Sequence, residues 1–319
     1  MKELVLSRNN RHWWMGFSIL WIILFHMWCL DGGLKSYINI DFLDFFFSKG
    51  YLGVDIFFFL SAYGCACSLS NNSLGKFYRN RFFRIFPIYF IYTIVLVLII
   101  SKYYHQPWWL MFLKQISGFS TLTFSHLHVE WYMPAQILVY ALFPVIYKFA
   151  GTIRRNSVLF FCVILLFSLF VFIIDRLFIS DFAYRIPIII VGTVTFFLLN
   201  DYKFDDLFLL KYYVIGAIIA FLMIDSVTLF CSLTLPLILY AFSKCDFVLP
   251  CKRFFCFVGK HSLEIYLAQN IALDHFMGKT TIGNPFVIIL LCIIIIIIIG
   301  GCFLYYLQNF FSIMMRQYL

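Results

Sequence analysis

Between Asp55 and Tyr92 the chain reads DIFFFLSAYGCACSL, then SNNSLGKFYRNRFFR, then IFPIYFIY. Two apolar stretches, each able to continue across a bilayer, flank a short polar segment with four cations, Lys76, Arg79, Arg81 and Arg84. In hydrocarbon a spanning segment must satisfy its own backbone hydrogen bonds, so both stretches are predicted to be transmembrane helices and the polar segment a loop. The cations place that loop on the cytoplasmic side. Arg81 and Arg84 share a face if Pro87 falls in the first turn of the following helix. Guanidinium forks on one face suit a phosphate-rich ligand. The alternative is a cluster that anchors the loop and meets anionic lipid.

The rest of the chain follows the same rule. It is 63% hydrophobic and 12% charged, with a mean hydropathy of +0.93, far from the balance of a soluble domain. The expected fold is all-α and polytopic, with about ten transmembrane helices in a single bundle and one membrane-embedded domain over 1–319. The spans fall near Trp13–Leu30, Tyr51–Leu69, Ile85–Ser101, Trp131–Phe149, Ser157–Phe178, Ile186–Leu199, Tyr212–Ile224, Val227–Ser243 and His261–Met277, with a tenth through the isoleucine run to Ile299. With this scheme seventeen of the 24 Lys and Arg lie on one side and seven on the other, which puts both termini in the cytoplasm. The net charge of +9 is that bias and does not point to nucleic acid. No small-residue cleavage site follows the first apolar run, which is expected to stay as a helix. The ten cysteines form no CxxC pair, so neither zinc nor a disulfide framework is expected.

Few ionisable residues fall inside spans. His26 lies about 20 Å along the first helix, in the outer half of a ~30 Å core. Such a group either faces a cavity or partner and works there, or bonds a neighbouring helix. Asp55, near the outer end of the second span, reads as a helix cap or a site residue. A longer outer segment holds His105, Trp108, Trp109, His126, His128 and Glu130. His126 and His128 would point together only on extended chain, and no third ligand has fixed spacing, so no metal is expected.

Five stretches, in order, resemble the acyltransferase-3 family of integral-membrane enzymes that O-acetylate cell-surface sugars. They are SILWIILFH, LGVDIFFFLSAYG, FYRNRFFRIFPIY, EWYMPAQILVYALFPVI and GKHSLEIYLAQN. The resemblance places the family histidine on His26 and the paired arginines on Arg81 and Arg84. Met15 stands where the family has arginine, with Arg11 about one turn earlier. Ala62 replaces a glycine, and Gln269 stands where a histidine often follows the late Tyr-Leu pair.

The resemblance implies transfer of an acetyl or other short acyl group from acyl-coenzyme A to a hydroxyl. The acceptor would be a cell-surface or exported polysaccharide or its lipid-linked precursor. A neutral imidazole can take the hydroxyl proton, which gives His26 the role of base. Arg81 and Arg84 would grip the coenzyme A phosphates, with Arg79 and Lys76 in support. Glu130 could orient His26 or a sugar hydroxyl, or be a carboxylate favoured by a helix N-terminus. Ser61, Tyr63, Trp131 and Tyr266, with Asp55, are candidate walls of the substrate cavity or core packing. The expected partners are acyl-CoA, a carbohydrate or lipid-linked carbohydrate, and membrane lipid. The expected location is the cell (inner or plasma) membrane. The competing readings are a transporter of lipid-linked sugar without chemistry and a degenerate homologue with a structural role.

Overall fold

The structure is a computed structural model that describes residues 8–29, 35, 39–104, 107–117, 131–153, 185–201, 234, 238, 251–276, 298–311 and 313–314. The described residues are almost entirely helical, with no strand among them. In chain order the helices are α1 (Arg8–Cys29), α2 (Asp41–Ser48), α3 (Gly53–Asn71), α4 (Leu74–Tyr104), α5 (Trp108–Ser117), α6 (Tyr132–Ile153), α7 (Ile186–Asp201), α8 (Lys252–Lys260) and α9 (Ser262–Phe276), then α10 (Ile298–Phe311). Four stretches are long and apolar enough to cross a membrane, namely Asn10–Cys29, Asp41–Asn71, Leu74–Leu98 and Tyr132–Ile153. Ile186–Phe197 and Ile298–Phe311 are shorter apolar helices. The spans expected near 157–178 and 212–224 lie outside the described residues, as does all of 227–243 but residues 234 and 238.

The polar segment between the second and third spans is not a loop. Only Asn72 and Ser73 break the helix between α3 and α4, and α4 then runs for 31 residues. At 1.5 Å per residue that is about 46 Å, well beyond a ~30 Å core. Lys76, Arg79, Arg81 and Arg84 therefore ride on the first three turns of a helix. No breaker lies between Gly75 and Pro87, and Lys, Arg, Phe and Tyr are all compatible with a helix interior. Pro87 consequently sits inside α4 and not in a first turn. It removes one backbone hydrogen bond, a loss that helices in membranes tolerate.

The chain divides into two compact units interleaved along the sequence, one of 1–11, 55–79 and 119–250, the other of 12–54, 80–118 and 251–319. In the first, α3 packs against both α6 and α7. Phe58 of α3 stacks on Trp131 and meets Tyr132 edge-on. Gly192 of α7 lets its helix approach α3 closely, since a Cβ there would sit 2.7 Å from the Phe59 carbonyl. Tyr147 of α6 lies 4.8 Å from Phe197 of α7, centroid to centroid.

In the second unit α1 crosses α8 at two glycines. A Cβ on Gly259 would fall 1.7 Å from the His12 carbonyl, and one on Gly16 would fall 2.0 Å from that of Phe255. Small residues at a crossing allow the backbone approach that drives helix association in lipid. At the other end of α1, Trp21 donates to the Phe46 carbonyl at 2.8 Å and Trp28 to Asp44 at 2.7 Å. Asp41 and Asp44 thus belong to the first turn of α2, where the helix dipole favours carboxylates, and not to open loop. Tyr89 of α4 donates to the Gln115 carbonyl of α5 at 2.8 Å.

Candidate functional site

The second unit gathers several of the charged and titratable groups that the sequence places within or beside spans. His26, half-buried on α1, meets the side chain of Gln269 on α9, whose amide nitrogen donates to Nδ1 of the ring. Gln269 and its neighbour Asn270 are each 1% exposed. The Gln269 oxygen and both amide atoms of Asn270 are buried without a hydrogen-bond partner among the described residues. About 7.5 Å earlier along α9, at 1.5 Å per residue, stands Glu264, also buried. Glu264 lies within electrostatic reach of the Arg84 charge of α4 and of the Cys302 thiol of α10. Gln308 of α10 donates to the Arg84 carbonyl, which ties α10 to this turn of α4.

The two faces of α4 differ. Phe82, Phe86, Phe90, Ile94 and Leu98 form an exposed stripe at i, i+4 spacing, with Phe82 stacked on Phe86 at 4.7 Å. Ile85, Ile88, Tyr89, Tyr92 and Leu96 are buried. At 100° per residue Arg81 and Arg84 fall in line with Ile88 and Tyr92, opposite the phenylalanine stripe. Arg81, which is half-buried, therefore continues the buried side of α4, whereas Arg84, Arg79 and Lys76 are exposed. Tyr266 of α9 is buried.

The candidate residues of the first unit meet other partners. Asp55, in the first turn of α3, is 1% exposed and paired with Arg185 at 2.6 Å. Arg185, expected in an outer loop, is buried at the start of α7. Ser61 accepts from Gln136 of α6 at 2.9 Å and lies 3.4 Å from the Tyr140 hydroxyl. Tyr63 meets Phe196 edge-on. Trp131 stacks on Phe58. Arg11 lies against α3, where a Cβ on Gly64 would come 2.9 Å from its guanidinium. His105, His126, His128 and Glu130 lie outside the described residues. Among those described, no three His, Cys, Asp or Glu stand together as a metal cage.

A family model described as an acyltransferase domain matches residues 13–307. The chain belongs to the acyltransferase-3 family. Its apolar helices fit a protein of the membrane. A protein of Acidianus two-tailed virus, provisionally named an acetyltransferase, is 28% identical over 137 residues. That match covers 42% of this chain and 39% of the viral protein, so the chain spans about two-fifths of that relative's length. No solved structure matches the chain significantly.

The sequence points to His26 and to the arginine pair but passes over their neighbours on α9. Glu264 carries the same signal as His26, an ionisable group inside an apolar run. Gln269, noted only as a departure from the family pattern, turns out to be the residue that touches His26.

Proposed function

We propose that the protein transfers an acetyl or other short acyl group from acyl-coenzyme A to a hydroxyl of a cell-surface or exported polysaccharide, or of its lipid-linked precursor. Family membership supports acyl transfer, and the observation that carries the rest is α9. One helix bears both the residue that contacts His26 and the carboxylate that feels Arg84. The domain over 1–319 works in the cell membrane with both termini cytoplasmic. The long helix α4 carries its cations beyond the hydrocarbon core into the compartment where coenzyme A is available.

In this reading Arg81 and Arg84 take the donor's phosphates, with Arg79 and Lys76 adding charge. The thioester end then lies along α9 toward His26. The imidazole accepts the hydroxyl proton as the acceptor oxygen bonds to the acyl carbon. The carbon–sulfur bond breaks, and coenzyme A leaves as the thiol once sulfur takes up a proton. Glu264 restrains Arg84, so that its fork faces the ligand. No metal takes part.

Purified protein given labelled acetyl-CoA and candidate glycans tests this directly. Label is expected in glycan ester. Binding of acetyl-CoA with no label transferred to any glycan hydroxyl would overturn it, and movement of lipid-linked sugar without acylation would establish the transporter instead. Orientation is checked with a single cysteine at Ser73 after native cysteines are blocked. It should react with an impermeant reagent only from the cytoplasmic side.

A further inference from the structure

The contact between α1 and α9 bears on which nitrogen of His26 can act. Gln269 is buried and its amide nitrogen donates to His26 Nδ1, while its oxygen has no partner among the described residues. Donation into Nδ1 uses that lone pair, so the neutral ring then carries its proton on Nε2. A ring in that state can donate from Nε2 but cannot accept there. A half-turn of the amide exchanges its nitrogen and oxygen in nearly the same volume. The oxygen then accepts from Nδ1–H, and Nε2 keeps an open lone pair. Once Nε2 is protonated the ring is a donor at both nitrogens, and only the oxygen-facing amide can stabilise it.

We propose that Gln269 is a positioning residue that presents its amide oxygen to Nδ1 of His26, fixing the ring as the Nδ1–H tautomer with Nε2 free. This rests on the reading of His26 as the base, which it deepens. A buried glutamine differs from a buried carboxylate in carrying no charge, so it orients the ring without holding a negative charge in the apolar interior. The partner of a catalytic histidine sets the tautomer, and the tautomer sets which atom can work.

The test is nitrogen-15 NMR of histidine-labelled full-length protein in lipid nanodiscs, with His26 assigned by its loss in His26→Gln. The wild type is expected to show His26 with Nδ1 protonated and Nε2 bare. Gln269→Glu, an acceptor of the same shape, should keep that tautomer. Gln269→Leu should give a tautomer mixture and a fall in kcat of roughly 10- to 100-fold, the range seen when groups that orient metal-bound histidines are removed. Acetyl-CoA affinity should not change in Gln269→Leu, and Gln269→Glu should transfer faster than Gln269→Leu. An Nε2–H tautomer in the wild type overturns the proposal, and needs no variant to fold. A tautomer and kcat unmoved by Gln269→Leu overturn it as well. The Nδ1–H tautomer, lost in Gln269→Leu but seen in a protein that transfers no acyl group, would sustain the positioning and refute the functional reading.

Discussion

The two units both bury polar side chains, and they differ in what those side chains meet. In the first, one oxygen of Asp55 is held by Arg185 while the other has no partner among the described residues, and Ser61 accepts from Gln136 beside Tyr140. In the second, His26, Glu264, Gln269 and Asn270 come from two helices with Arg84 close by, and the Gln269 oxygen and both Asn270 amide atoms have no partner among the described residues. An unsatisfied buried donor or acceptor costs about 1–3 kcal/mol. The cost is recovered if a ligand or reacting group completes the set. In the first unit the ion pair and the Ser61 bond join neighbouring helices, and the proposed function places the chemistry in the second.

The comparison breaks first at His26. Its change to Ala should lower acyl transfer by roughly 10²–10⁴-fold, the worth of a general base, in protein that remains folded and inserted. Transfer within twofold of wild type would take His26 out of the mechanism. Next, Arg185→Ala should leave the Asp55 charge buried alone and cost about 3–5 kcal/mol of stability. Thermal unfolding in detergent measures it, and the protein that remains folded should keep its specific activity. A large activity loss at unchanged stability would place this ion pair in the site. The smallest change sharpens the comparison within the second unit. Tyr89→Phe loses only the hydroxyl that bonds the Gln115 carbonyl, and should cost about 0.5–1.5 kcal/mol with no effect on transfer.

Much of this was legible in the sequence because lipid makes hydropathy a strict guide. The spans at α1, α3, α6 and α7 begin and end near their expected places, and α4 ends near its own but begins eleven residues earlier. The charged head of α4 was misplaced because charge was taken to mean loop. A helix can leave the bilayer without ending, and only the absence of a breaker before Pro87 shows it. His26 was visible as a lone ionisable group in an apolar run. Its partner was not, because Gln269 lies 243 residues further on and nothing local marks which helices will touch. Asp55 and Arg185 are 130 residues apart and were hidden for the same reason. Gly16 and Gly259 bring α1 and α8 together, yet a single glycine in each helix gives no sign of the other.

Donor binding by the arginine pair bears most directly on the central claim, that the second unit handles acyl-coenzyme A. Calorimetry of acetyl-CoA against wild type, Arg81→Lys and Arg84→Lys in detergent measures it. Lysine keeps the charge but loses the planar two-donor fork. The account predicts that each variant binds acetyl-CoA roughly ten- to a hundredfold more weakly. Equal affinity in all three proteins would contradict it and leave the cluster as positive charge that only orients the helix in the membrane.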